Sequence, residues 1–217
     1  MKTITLILIF FINMTAIADT QISNLITPVK YFVNHEMELD DLSNRLLLHK
    51  KAGLAGISGI GKTQFARMYV HKNQNKYNVI WFFDCNADLS EQFVQLAKEM
   101  NKKICIKERC TISESITSAQ QSVIKYLAPK HNWLLIFDNI KINQNKQLSE
   151  IIELEHNGHV IISSQDGQNI PFPIQIPYLK AEDAISLANN ILNNKDYETI
   201  EKLVSTFKGY PVLITQA

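Results

Sequence analysis

Eight consecutive residues, Gly56-Ile57-Ser58-Gly59-Ile60-Gly61-Lys62-Thr63, satisfy the pattern G-x-x-x-x-G-K-[ST] at every fixed position. A backbone that cradles an anion must turn its N–H groups inward, which favours glycine. It must also run into a helix whose N-terminal dipole faces the charge. Gly56, Gly59 and Gly61 supply that freedom, and Ile60 and Gln64 complete the set of residues expected around a bound phosphate chain. Lys62 would reach the β- and γ-phosphates of a nucleotide, and the Thr63 hydroxyl would ligate Mg²⁺. The flanks agree: the apolar run Ala52-Gly53-Leu54-Ala55 precedes the loop, and a helical stretch over residues 64–70 follows it.

The cation needs an acid at the end of a buried strand, and Trp133-Leu134-Leu135-Ile136-Phe137-Asp138 fits. A parallel strand covered on both faces reads as an unbroken apolar run, and ligands gather beyond the carboxyl ends of such strands. Thr63 and Asp138 are therefore the expected metal residues, and Lys62, Asp138 and the neighbouring Asn139 the candidate catalytic groups.

The chain of 217 residues is 46% hydrophobic and 20% charged, which suffices for a sizeable globular core. Its 22 Lys and Arg against 21 Asp and Glu give a formal net charge of +1, no argument for nucleic acid or a charged membrane surface. Cys85, Cys105 and Cys110 cannot all pair within one chain and match no zinc or redox spacing, so they read as buried or incidental thiols. The six histidines are scattered and suggest no metal site.

Lys2 precedes an apolar stretch over residues 4–12, and Ala16-Ile17-Ala18 precedes Asp19, the grammar of a secretory signal peptide over residues 1–18. Asn13 interrupts the stretch too soon for a transmembrane span, and no other segment could cross a bilayer. Cleavage after Ala18 would make the protein exported or secreted; an uncleaved hydrophobic helix on a cytoplasmic protein, or a misassigned start, are the alternatives.

Residues 19–30 read as a connector, 31–180 as a nucleotide-binding domain and 181–217 as the start of a helical subdomain. Leu39, Leu42 and Leu46 predict a first helix over about 36–48. Residues 79–83 read as a second strand, and Asp88 with Glu91 resembles a capping box opening a helix that buries Leu89, Phe93, Leu96, Ala97 and Met100. Ile116, Ala119, Val123 and Tyr126 predict a helix over about 113–127, stopped by Pro129. Residues 133–138, 159–163 and 174–176 complete five strands, with a helix at about 148–154. This alternation specifies an α/β fold, a five-stranded parallel sheet flanked by helices. From Ala181 the pattern is helical only, with Ala184, Ile185, Ala188, Ile191 and Leu192 on one helix. Tyr197, Ile200, Leu203, Val204 and Phe207 lie on the next, capped by Gly209.

The order of these signals resembles the NB-ARC nucleotide-binding domain of signal-transducing STAND P-loop ATPases, over about residues 31–217. Phe32-Val33-Asn34-His35-Glu36-Met37-Glu38-Leu39 is similar to the family's F-V-G-R-E-x-E-L motif, which helps hold adenine. Residues 56–63 match its P-loop, and residues 134–140 resemble L-L-h-h-D-[DN]-h. Residues 159–165 resemble the strand ending in T-[TS]-R, and Gly209-Tyr210-Pro211-Val212-Leu213 resembles G-L-P-L, whose proline packs near the nucleotide. The resemblance implies a P-loop NTPase domain that binds ADP or ATP with Mg²⁺ as a switch in signal transduction. It also implies an unidentified protein partner, and contacts from Phe32, Val33, Gln165 and Pro211. The P-loop strand and the Asp138 strand should flank the strand ending at Ser163.

Three departures bear on activity. Asn34-His35 replaces Gly-Arg on the adenine side. Gln165 stands where the family places an arginine that senses the terminal phosphate; an amide can donate to phosphate but cannot neutralise it. Asn139 stands where many relatives carry a second acid, and an amide cannot accept a proton from attacking water. Slow or absent hydrolysis is expected. The family continues into a winged-helix subdomain and sensor repeats, so a chain ending at Ala217 reads as a fragment or a truncated copy. An active ATPase or small-molecule kinase, and a non-binding truncated scaffold, are the competing readings.

Overall fold

The computed structural model describes residues 21–32, 35–141, 145–153, 155–192 and 196–216. The expected signal peptide, and Val33 and Asn34 of the adenine-side motif, lie outside these residues. Among the described residues no helix is long and apolar enough to cross a membrane.

Among the described residues six strands, β1 (Ile22–Ser23), β2 (Lys51–Ala55), β3 (Val79–Asp84), β4 (Trp133–Ile140), β5 (His159–Ser164) and β6 (Pro173–Gln175), form one sheet in the order β1-β3-β4-β5-β2-β6. Every pairing is parallel. As expected, β2 and β4 flank β5. The expectation of five strands is corrected by β1: Ile22, inside the stretch read as a connector, pairs with Val79 and is fully buried. Two residues leave no periodicity to read.

The longer helices among the described residues are α1 (Glu36–His49), α2 (Lys62–Asn73), α3 (Leu89–Met100), α4 (Ala119–Leu127), α5 (Asn145–Glu153), α6 (Ala181–Leu192), α7 (Tyr197–Phe207) and α8 (Pro211–Gln216). Strand residues alternate between two cores, because successive side chains leave a strand on opposite faces. Trp81, Phe83, Leu135, Phe137 and Ile162 pack with Phe93 and Leu96 of α3 and Val123 of α4. Ile80, Leu134, Ile136 and Ile161 pack with Leu42 and Leu46 of α1 and Phe65 and Val70 of α2. The Phe83 ring stacks on Phe137 with centroids 4.7 Å apart and tilts against Phe93 at 4.4 Å. A third cluster, Leu179, Ala184, Leu187, Ala188, Ile200, Val204 and Ile214, belongs to the helical segment.

Local chemistry explains where elements start and stop. Asp88 caps α3 by accepting from the Ser90 and Glu91 amides. At the end of α7 the left-handed cap is Lys208, with φ 50°, rather than Gly209, which follows with φ 70°. The helix expected from residue 113 begins at Ala119, and Ile116 is exposed. Hydroxyls hold the preceding stretch as turns instead: Ser113 Oγ lies 2.7 Å from Ser118 Oγ, and the Ser113 amide donates to Ser122 Oγ at 2.9 Å. Cys105 and Cys110 are joined in a disulfide across a π-helical segment and a short turn, so the reading of incidental thiols is corrected for these two; Cys85 is a buried thiol.

One close approach is sharply testable. The Trp133 Nε1 donates to the Leu127 carbonyl at 2.7 Å and the Lys130 carbonyl at 2.8 Å, tying β4 to the end of α4. A Cβ on Gly158 would lie 2.1 Å from two carbons of that indole. Gly158→Ala is therefore expected to push the ring off its bonds and destabilise the fold by about 1–3 kcal/mol. Urea unfolding should show a lower midpoint at an unchanged m-value.

Candidate nucleotide site

The phosphate loop leaves the carboxyl end of β2 and enters α2. Gly56, Gly59 and Gly61 have φ of 152°, 76° and 108°, so the loop does require the freedom its glycines provide. Gly61 is the N-cap of α2, and its carbonyl accepts from the Phe65 amide at 2.8 Å.

Lys62 is only 5% exposed. Its Nζ donates to the Gly56 carbonyl at 2.6 Å and the Ile57 carbonyl at 3.0 Å, so the side chain curls back over the loop. Burial pushes its pKa below the ordinary lysine value, opposed by attraction to Asp138. Asp138 is 8% exposed and both its oxygens are used. Thr63 Oγ1 donates to Oδ2 at 2.6 Å, and the fully buried Ser163 hydroxyl donates to Oδ1. Ser163 Oγ in turn accepts from the Asn139 amide at 2.9 Å. Asp138 does not end its strand as expected: β4 runs on to Ile140, with a register shift after Phe137 and Asn139 left-handed at φ 63°. That irregularity aims a carboxylate from within the sheet at the start of α2.

A cavity of about 410 Å³ opens beside the loop, within the range of small-molecule sites. Of the residues expected around a nucleotide, Phe32, Gly59, Ile60, Gly61, Lys62, Thr63, Gln64, Asn139, Gln165 and Pro211 line it. Gly56 and Asp138 do not: the first is buried where its carbonyl meets Lys62, and the second lies one hydrogen bond behind Thr63. Val33 lies outside the described residues. Leu179, Leu187, Val212, Thr215, Val29, Tyr31 and His35 are also part of its lining. His35 meets both Phe32 and Phe65 edge-on, with centroids 6.0 Å apart in each case.

Sequence reading missed Ser163 as the second partner of Asp138. The one signal available was the expected order of strands, which sets the strand ending at Ser163 beside the Asp138 strand; the register shift after Phe137 lies beyond it. It also missed that Tyr210 and Val212, beside the noted Pro211, meet the loop itself.

Thr63 and Asp138 fit Mg²⁺, a hard cation commonly held by one or two protein oxygens with phosphates and waters completing its shell. Among the described residues there is no group of three or more His, Cys, Asp or Glu side chains that could hold a metal by themselves.

No family profile matches the chain, and no curated protein matches it closely in sequence. Solved structures do match its fold. A STAND protein with a tetratricopeptide repeat sensor from Pyrococcus horikoshii is 18% identical with a TM-score of 0.57, covering 88% of this chain and 31% of that one. A Walker-type ATPase of Pyrococcus abyssi is 14% identical with a TM-score of 0.62, covering 88% of this chain and 68% of that one. The chain thus has the fold of STAND and Walker-type P-loop ATPases and spans about a third of the length of the first.

Proposed function

We propose that this chain is an adenine-nucleotide-binding switch module of the NB-ARC kind, holding ADP or ATP with Mg²⁺ and hydrolysing slowly or not at all. The observation that carries the reading is the joint placement of Lys62, Thr63 and Asp138: a buried ammonium and a hydroxyl line one cavity, and the carboxylate stands one hydrogen bond behind the hydroxyl. Lys62 would leave the Gly56 and Ile57 carbonyls for phosphate oxygens, and Thr63 with Asp138 would hold Mg²⁺, which neutralises phosphate charge. Phe32, His35 and Pro211 offer flat and apolar surfaces for a base.

Slow turnover follows from what surrounds that space. None of the described residues lining the cavity is a carboxylate; Asn139 and Gln165 present amides there. Amides can orient water and phosphate but take up no proton. A module that holds its nucleotide changes state by differential affinity of two conformations rather than by turnover.

The test is the identity of the nucleotide retained through purification. ADP or ATP in near-stoichiometric amount, lost on chelating Mg²⁺, is the expected result. A chain that purifies without nucleotide and does not take up fluorescent ADP would overturn the reading, and rapid Lys62-dependent ATP hydrolysis would replace the switch with an enzyme.

We divide the chain into a nucleotide-binding part over 31–180 and a helical part from 181, supported by the separate third cluster. We also propose that residues 1–18 are a cleaved export signal. The Cys105–Cys110 disulfide supports this, because such bonds persist in oxidising compartments. Sequencing the mature N-terminus checks it: a chain starting at Met1 excludes cleavage.

A further inference from the structure

We propose that Tyr210 is a positioning residue for the phosphate loop, fixing the orientation of the peptide between Ser58 and Gly59. The inference rests on the nucleotide reading and adds to it how the helical segment shapes that site. The Tyr210 hydroxyl donates to the Ser58 carbonyl across a sequence separation of 152. The next residue of the loop is held as closely: a Cβ on Gly59 would meet Val212 Cγ1 at 2.7 Å and Tyr210 Oη at 2.9 Å. The loop tip approaches Tyr210 and Val212 at a distance that only glycine allows.

Tyr210 is itself anchored. Its amide donates to the Phe207 carbonyl at 2.9 Å. The preceding Gly209 carbonyl accepts from the Leu179 amide at 3.1 Å, and a Cβ on Gly209 would lie 2.3 Å from the Leu179 oxygen. Three residues before Leu179, the Ile176 amide donates at 2.9 Å to the carbonyl of Ala55, the residue that precedes the loop. The base of the loop is therefore tied to residues 176–179 and its tip to Tyr210, and the Leu179–Gly209 hydrogen bond joins these two segments.

The consequence follows from peptide planarity. In a trans peptide the C=O and N–H point in opposite directions, so a Ser58 carbonyl held by Tyr210 turns the Gly59 N–H away from Tyr210. Gly59 borders the cavity, and a loop whose amides are already oriented loses less freedom when it binds an anion. The G-L-P-L pattern places leucine at this position, a side chain with no donor; the hydroxyl is this chain's own device.

The experiment is Tyr210→Phe, which keeps the ring and removes the hydroxyl. Fluorescent ADP should bind about 2- to 12-fold more weakly, the effect of one hydrogen bond, with the loss mainly in faster dissociation. In nucleotide-free protein the Ile60 amide, which bonds the Ile57 carbonyl at 3.4 Å, should exchange with solvent faster while the melting temperature stays put. Tyr210→Leu should match Tyr210→Phe. Unchanged affinity and Ile60 exchange in the phenylalanine variant overturn the proposal, as does wild-type behaviour of the leucine variant. Faster exchange spread evenly over α6, α7 and α8 also overturns it, because that is general loosening. If wild-type protein binds no ADP yet Tyr210→Phe still frees the Ile60 amide, the nucleotide reading fails and the positioning role stands.

Discussion

Lys62→Ala is expected to weaken ADP binding by about 10- to 150-fold, the equivalent of a charge-assisted contact of about 1.5–3 kcal/mol. The magnitude follows from where the ammonium sits. It is almost wholly buried, its charge is disfavoured by burial, and its partners in the structure are two backbone carbonyls. A phosphate gives that charge the full counterion that carbonyl dipoles supply only in part. Arginine should not rescue the site, because its planar fork does not occupy the volume of a compact ammonium. Fluorescence or calorimetric titration at fixed ionic strength measures the effect, with circular dichroism to confirm the fold. Equal affinity in Lys62→Ala would show that the ammonium does not contact the bound nucleotide.

Asp138→Asn is expected to raise the Mg²⁺ concentration needed for tight ADP binding by about 10- to 100-fold, the usual cost of losing a group that orients a metal ligand. The amide has the carboxylate's shape and still offers an oxygen to Thr63 or Ser163, each of which can rotate its hydroxyl. Folding should therefore survive while the negative charge is lost. ADP affinity without Mg²⁺ should hold or improve, since a buried anion near the phosphates is gone. An unchanged Mg²⁺ midpoint would dissociate Asp138 from the cation.

The parts of this site that were legible in sequence are those where one residue type is forced by local chemistry. Glycines at 56, 59 and 61 are demanded by positive φ, and Asp138 was conspicuous because it closes an apolar run. What escaped depends on which elements meet in space. Ser163 looks like an ordinary polar residue at a strand end: the expected strand order set β5 beside β4, but which residue faces Asp138 depends on a register that shifts after Phe137. Tyr210 reads as a helix-flanking aromatic until the turn at Gly209 is pinned to Leu179. The helix expected from residue 113 failed for a local reason: Ile116 has helical spacing, but the hydroxyls of Ser113 and Ser118 pair with each other in a turn. The disulfide was invisible because a separation of 5 between cysteines matched no familiar spacing, and a π-helical segment with a turn brings them together.

The sheet order also dictates when this protein can acquire its site. Both neighbours of β2, β5 and β6, lie after residue 158, so the loop leaves the ribosome long before any strand exists to pair with the one that carries it. Pairing of such sequence-distant strands is slow. β3 and β4 can pair earlier, and the Phe83–Phe137 stack with Phe93 would give them a core of their own. A nascent chain halted before His159 would thus hold β1, β3 and β4 as half a sheet and a complete G-x-x-x-x-G-K-T motif on a strand with neither of its neighbours.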